Sequence, residues 1–235
     1  MSRTAGKVVG WGSLALAILS GAAAPAQAQG TQAPASPSPY PTMAPIAQYH
    51  MDRDAEIALA RTAAPASISR DAEIMVLGRK NYEVAVRGRN GFVCMVGRAF
   101  AGPLNNPEFW SPRNRSPICL NPPAARSLWP YAVKQTGLAL AGATKAQITD
   151  AIKAAVARKE LGAPELGSMA YMMSKQAYLT DQGSHNLAHV MFELPRSEAF
   201  QSDSAFSVSW DPAPVIEFNV PVGHWSDGTD ASGKS

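Results

Sequence analysis

The first 28 residues constrain this chain most, because they have the features of an export signal. A positive start at Arg3 and Lys7 precedes an apolar run and the A-x-A cleavage site Ala26-Gln27-Ala28. The strongly apolar part, Val8 to Leu19, is shorter than the roughly 20 residues of a membrane-spanning helix, which disfavours the alternative of an uncleaved anchor. We therefore expect a signal peptide at residues 1–28 and a periplasmic or secreted protein.

The charge of the mature chain argues against nucleic acid as a partner. Two of the 21 Lys and Arg residues lie in the leader and none of the 18 Asp and Glu residues does, so the formal net charge falls from +3 to about +1. Such a chain lacks the basic field by which proteins bind nucleic acid. Its hydrophobic content of 46% is ordinary for a globular domain and is sufficient for one core.

The mature chain is predicted to contain a linker, one domain and a short tail. Residues 29–45 are rich in Pro, Ala and Ser and almost lack large apolar side chains, so we interpret them as a disordered linker. Residues 46–227 carry the periodic apolar segments of a single domain. Residues 228–235 are interpreted as a disordered tail, and no transmembrane segment is expected after cleavage of the leader.

Hydrophobic periodicity predicts an α+β fold. Helical spacing or composition predicts helices at residues 47–62, 121–140 with an interruption at Pro130, and 144–161. Short β-favouring segments lie at residues 74–77, 82–87, 92–98, 169–174, 177–180, 187–194, 206–210 and 215–222. Their hairpin-scale spacing predicts a mainly antiparallel sheet with the helices packed on one face, in a single domain.

Two local features make more specific predictions within the first strand group. Asn90-Gly91 stands between two β-rich segments and predicts a hairpin, because both residue types tolerate a positive φ. Cys94 and Cys119 are the two cysteines of the chain, and in an oxidising compartment such a pair is most simply a disulfide. The alternative is a free nucleophilic thiol beside a histidine.

His185 and His189 are candidates for a metal site. On a helix, positions i and i+4 would bring both imidazoles to one face. A loop that folds back at Gly183 to Asn186 would also bring them together, with Asp181, Glu193 or His224 as a third ligand. The alternating pattern from Leu187 onward predicts a strand instead, on which four residues span roughly 13 Å. A bound metal is therefore not expected, and His185, His189 and His224 remain candidates only.

A catalytic alternative places Lys175, His185 and His189 in one site at the end of the sheet. Histidine titrates near neutral pH, which suits proton transfer. Ser174 beside Lys175 lacks the S-x-x-K spacing of a Ser/Lys dyad. The chain also lacks G-x-S-x-G, H-E-x-x-H, P-loop and G-x-G-x-x-G motifs, so no cofactor is expected and catalysis stays an open question.

Aromatic residues offer a third kind of site. They are most simply core anchors, and the alternative is a groove for a sugar or peptide. The candidates are Trp110, Trp129, Trp210, Trp225, Tyr171 and Tyr178.

Four phrases of the sequence resemble a family of exported bacterial proteins of no assigned activity. They are Asn90-Gly-Phe-Val-Cys94, Pro117-Ile-Cys-Leu-Asn-Pro-Pro-Ala124, Tyr171-Met-Met-Ser-Lys-Gln176 and His189-Val-Met-Phe192, within a match from about Ala55 to Asp227. Members tend to read H-W-H-P-H-x-M-F near the third phrase, and here His185 and His189 match the first and last histidines while Leu187 stands in place of the middle one. The resemblance implies export and a cysteine pair, and it implies no reaction.

These observations lead to two main function hypotheses. The first is an exported periplasmic domain that binds a small molecule or an envelope component without catalysis. The alternative is a periplasmic hydrolase with a histidine-containing site. An envelope protein of structural role is a third option, and it predicts a large exposed apolar patch.

Overall fold

The computed structural model describes residues 38–181, 187–197 and 207–231, which belong to one compact unit, Pro37–Ser235. Eight strands form one sheet. In chain order they are β1 (Glu73–Leu77), β2 (Tyr82–Val86), β3 (Val93–Gly97), β4 (Ser116–Leu120), β5 (Met169–Met172), β6 (His189–Pro195), β7 (Ser207–Ser209) and β8 (Val215–Pro221). Their spatial order is β2-β1-β3-β4-β5-β6-β8-β7, and only the β1–β3 pair is parallel. The predicted α+β class with a mainly antiparallel sheet is confirmed.

Five helices pack against this sheet. They are α1 (Arg53–Arg61), α2 (Ala66–Ser69), α3 (Pro122–Ser127), α4 (Trp129–Leu140) and α5 (Lys145–Ala157). The first 3-10 turn is Ile46–Gln48 and the second is Ala99–Ala101. Helix α5, predicted at residues 144–161, begins at a capping box, in which the Thr144 hydroxyl accepts from the Gln147 N–H and the Gln147 side chain accepts from the Thr144 N–H. Pro130 lies in the first turn of α4, so the predicted interruption separates α3 from α4.

Helices cover both faces of the sheet. Neighbouring residues of a strand point to opposite faces, and in β3 Cys94 packs with Leu59 and Ala60 of α1. Met95 joins the larger core cluster on the other face, which also contains Ile148 of α5. Helices α3, α4 and α5 thus share one face, as expected, while α1 lies on the opposite one.

The predicted Asn90-Gly91 hairpin is wrong. Strands β2 and β3 do not pair with each other, because β1 lies between them and pairs with both. The turn is nevertheless held locally: the N–H groups of Arg89 and Asn90 donate to the Asp71 carbonyl, and the Asn90 amide donates to the Ile68 carbonyl. Gly91 has a φ of 78°, a conformation that glycine adopts without strain. The local sequence therefore fits a turn, but long-range contacts determine which strands pair.

The last part of the predicted linker contacts the domain. Of residues 29–45 the structure describes 38–45. Tyr40 and Met43 pack against the larger core cluster, and the Tyr40 hydroxyl donates to the Asp181 carboxylate. The predicted leader 1–28, linker residues 29–37 and tail residues 232–235 lie outside the described residues.

Cys94 and Cys119 form the predicted disulfide. They lie directly opposite each other on the adjacent strands β3 and β4, and both are fully buried against α1. The bond closes a loop of 25 residues in sequence that contains the segment between the two strands. It therefore joins the two ends of the long irregular connection between β3 and β4, and the bond itself lies in the middle of the sheet.

Replacing both cysteines with alanine is expected to lower the free energy of unfolding by roughly 3 to 4 kcal/mol, because the unfolded chain regains the entropy of an open loop. Urea unfolding of both proteins under oxidising conditions measures the loss. Reductant should destabilise the wild-type protein and leave the double variant unchanged. Equal stability of the two oxidised proteins would contradict the prediction.

Of the helices in the described part of the chain, none combines the length and the apolar character required to cross a membrane.

Candidate functional site

An apolar pocket of about 180 Å³ lies between the sheet and α4. Its floor is formed by side chains of neighbouring strands, among them Met95 of β3, Met172 of β5 and Met191 of β6. Trp129 and Ala132 of α4 form part of the wall, and the segment after β3 contributes the rest of that side. The pocket therefore lies on the face of the sheet that carries the larger core cluster.

Two glutamates interrupt this apolar surface. Glu193 of β6 and Glu217 of β8 line the pocket and are directly opposite each other in the antiparallel ladder. Their residues are only 2% and 7% exposed. The Trp210 indole N–H donates to Oε2 of Glu217 over 3.1 Å, whereas Oε2 of Glu193 has no hydrogen-bond partner among the described residues.

Burial raises the pKa of both carboxyl groups. The pKa of Glu193 rises to about 8, first because of burial and then because of the facing charge of Glu217, while its own backbone amide acts in the opposite direction. Burial raises the pKa of Glu217 to about 7, against the lowering effect of hydrogen bonds from Trp210 and Asn219. Both groups therefore exchange protons in the neutral range, where an ordinary glutamate is fully ionised.

Ser174 and Lys175, considered above as a dyad, have separate partners. The Ser174 residue is fully buried, and its Oγ lies 2.6 Å from Oγ1 of Thr62. The Lys175 ammonium is half-exposed and forms an ion pair with Asp227 over 2.9 Å. Lys175 does not line the pocket.

The histidine candidates are not gathered at the pocket either. His189 begins β6, where its Nδ1 lies 2.6 Å from the Leu187 carbonyl oxygen, and burial lowers its pKa. His224 is exposed and forms a β-bridge with Asp230. His185 lies outside the described residues. Within residues 38–181, 187–197 and 207–231, no group of three His, Cys, Asp or Glu side chains is arranged to hold a metal ion.

The aromatic candidates divide between core and pocket. Trp129 and Trp210 line the pocket. Trp110 is a core residue in edge contact with Phe109 at 4.7 Å between ring centroids. Tyr171 packs against Phe92 on the opposite face of the sheet. Two of the predicted groove residues thus contribute to the pocket.

Sequence reasoning considered Glu193 only as a third metal ligand and did not select Glu217. A signal was present in the strand pattern. In β6, Glu193 has the same parity as the buried Met191, and in β8 Glu217 has the same parity as the buried Val215. A charged residue in the buried phase of an alternating strand indicates a buried polar site.

The arrangement has the features of a binding site for a small ligand. It combines an apolar cavity with few polar groups, and two of these groups, Glu193 and Glu217, have raised pKa values. Each carboxyl can accept a hydrogen bond when ionised and donate one when protonated. The unpartnered oxygen of Glu193 marks where a ligand group would be held.

In comparisons with known proteins, no family model, no curated protein and no solved structure matches this chain. The resemblance to exported bacterial proteins stays a prediction.

Proposed function

We propose that this protein is an exported, non-catalytic domain that binds a small, mainly apolar ligand in the pocket between the sheet and α4. The observation that carries the proposal is the buried, unpartnered Oε2 of Glu193 in the wall of an apolar cavity. A buried polar atom without a partner costs roughly 1 to 3 kcal/mol. A ligand that supplies a hydrogen-bond donor at this position would offset that cost.

The chemistry of the lining favours binding over catalysis. Among the described residues that line the pocket, none is a histidine, lysine or cysteine. Ser116 lines it, but the Ser116 hydroxyl donates to the Asn114 side chain over 2.9 Å. The hydrolase hypothesis relied on Lys175, His185 and His189. Neither Lys175 nor His189 lines this pocket, and His185 lies outside the described residues.

The export part of the proposal rests on the leader features and agrees with the buried disulfide. Fractionation of producing cells, followed by N-terminal sequencing of the purified protein, tests it directly. We expect a chain that begins at Gln29 in the periplasm or medium. An intact leader on protein recovered from the cytoplasm would contradict export.

Filling the pocket is expected to abolish binding. In Ala132→Phe the new ring occupies the cavity from α4, so the affinity for small aromatic probes such as toluene and benzyl alcohol should fall at least tenfold. Titration calorimetry, supported by the fluorescence of Trp129 and Trp210, measures binding to the intact folded domain.

The matched control is Ala58→Phe, which adds the same ring at an exposed position of α1. This variant should bind the probes as the wild-type protein does. If no probe binds saturably to the wild-type protein, or if both variants bind equally well, the pocket is not a ligand site. Turnover of ester or glycoside substrates by the wild-type protein would contradict the non-catalytic assignment.

A further inference from the structure

Glu193 and Glu217 form a two-carboxyl wall inside the pocket. Side chains directly opposite each other on one face of an antiparallel pair have Cβ atoms about 4.5–5.5 Å apart, and these two residues are such a pair. One oxygen of Glu217 is held by Trp210, and one oxygen of Glu193 is unpartnered among the described residues. A donor group that enters the pocket can therefore reach two carboxyls at once.

In the described lining of the pocket, no free cation neutralises the negative charge of an ionised Glu193 or Glu217. Arg98 is the only other titratable residue among the described residues of the lining. Its guanidinium donates to Glu56 over 2.9 Å, to the Tyr49 carbonyl over 2.8 Å and to the Val96 carbonyl. Because Arg98 is already paired with Glu56, the pocket attracts a cation and repels an anion once one of the two carboxyls is ionised.

We propose that the pocket binds small organic amines in their protonated form, with the ammonium group donating to Glu193 and Glu217. The apolar body of the amine lies against the methionines of the floor and Trp129. This inference rests on the proposed function and names the ligand class of the same site. Trp129 and Trp210 also line the pocket, and the face of an indole ring attracts a cation.

The size of the pocket limits the ligand. An apolar cavity of about 150 Å³ accommodates benzene, and this pocket has about 180 Å³. The ligand should therefore contain one ring or a short branched chain. Benzylamine is a suitable probe, with benzyl alcohol as its neutral analogue and benzoate as its anionic one.

Amine binding is coupled to the protons of the carboxyl pair. With pKa values of about 8 for Glu193 and about 7 for Glu217, the pocket is mostly protonated near pH 6 and has lost at least one proton near pH 8. If one carboxyl must ionise to hold the ammonium, the affinity for benzylamine rises roughly tenfold between these pH values, and a proton is released on binding near pH 6 but not near pH 8. The affinity for benzyl alcohol has no such increase.

Calorimetry of the wild-type protein with the three probes near pH 6 and pH 8 tests the inference. We expect benzylamine to bind at least tenfold more tightly than benzyl alcohol near pH 8, and benzoate to bind most weakly. Near pH 6, titration in two buffers of different ionisation enthalpy measures the released proton. Glu193→Gln/Glu217→Gln should remove the preference for the amine and its pH dependence, whereas Glu83→Gln, at an exposed position of β2, should preserve both.

The outcomes separate this inference from the proposed function. If benzyl alcohol binds as tightly as benzylamine and Ala132→Phe abolishes both, the pocket is a ligand site and the amine assignment is wrong. If none of the probes binds, the proposed function fails together with the inference. If the variant Glu193→Gln/Glu217→Gln does not fold, the pH dependence and the proton release of the wild-type protein near pH 6 are the deciding measurements.

Discussion

Replacing Glu56 with leucine is expected to lower the free energy of unfolding by about 3 to 5 kcal/mol, because the substitution leaves the Arg98 guanidinium buried without its counter-charge. The two side chains are 2% and 0% exposed, and their ion pair spans 2.9 Å. Oε1 of Glu56 also accepts from the Leu77 N–H over 3.1 Å. One substitution therefore removes partners from a buried cation and a buried backbone amide.

Urea unfolding of the purified variant measures this loss, and the corresponding fall in Tm should be on the order of 10 °C. The matched control is Asp54→Asn, which removes an exposed carboxylate from the first turn of α1 and should cost less than about 1 kcal/mol. The double variant Glu56→Leu/Arg98→Met removes both charges and should recover much of the lost stability. A single variant as stable as the control would show that the buried pair is not required.

Raising the pH from about 5.5 to about 9 is expected to destabilise the protein through Glu193 and Glu217, by several kcal/mol, since each pKa unit between folded and unfolded states corresponds to roughly 1.4 kcal/mol. The pKa of each carboxyl is raised in the folded state, to about 8 and about 7. Between the ordinary glutamate pKa and these values the folded state binds more protons than the unfolded state. Stability is therefore highest on the acid side of this range and declines as the pH passes through the folded-state values.

The variant Glu193→Gln/Glu217→Gln provides the comparison, because its pocket has no carboxyl group to ionise. The difference in unfolding free energy between this variant and the wild-type protein should shift in favour of the variant as the pH rises. Contributions from His189, whose pKa is lowered by burial, are common to both proteins and cancel in the difference. A difference that does not change with pH would contradict the raised pKa values.

Local patterns in the sequence predicted much of the secondary structure. The capping box at Thr144 begins α5, and Pro130 separates α3 from α4, because both effects act within one helical turn. Alternation of apolar and polar residues predicted the strand that became β6, and a β-favouring composition predicted β8. The cysteine pair was also predicted, since the leader implies an oxidising compartment in which two thiols join.

The tertiary structure alone decided which strands are neighbours. Asn90-Gly91 has the local preference of a hairpin turn, yet β1 lies between β2 and β3 and pairs with both. Local propensity does not record a long-range pairing such as the parallel one between Glu73 and Val93. The position of α1 on the face opposite α3, α4 and α5 likewise depends on packing, because apolar stripes specify burial and not which face of a sheet they cover.

The candidate site also depends on long-range strand pairing. Glu193 and Glu217 are 24 positions apart in the sequence, and the β6–β8 register places them side by side at an apolar pocket. By itself the sequence determined a helix-and-strand content and a cysteine pair and predicted a leader, all of which follow from local composition and spacing. Only the folded chain could bring two carboxyls together away from water, because their pairing and their burial are properties of long-range contacts.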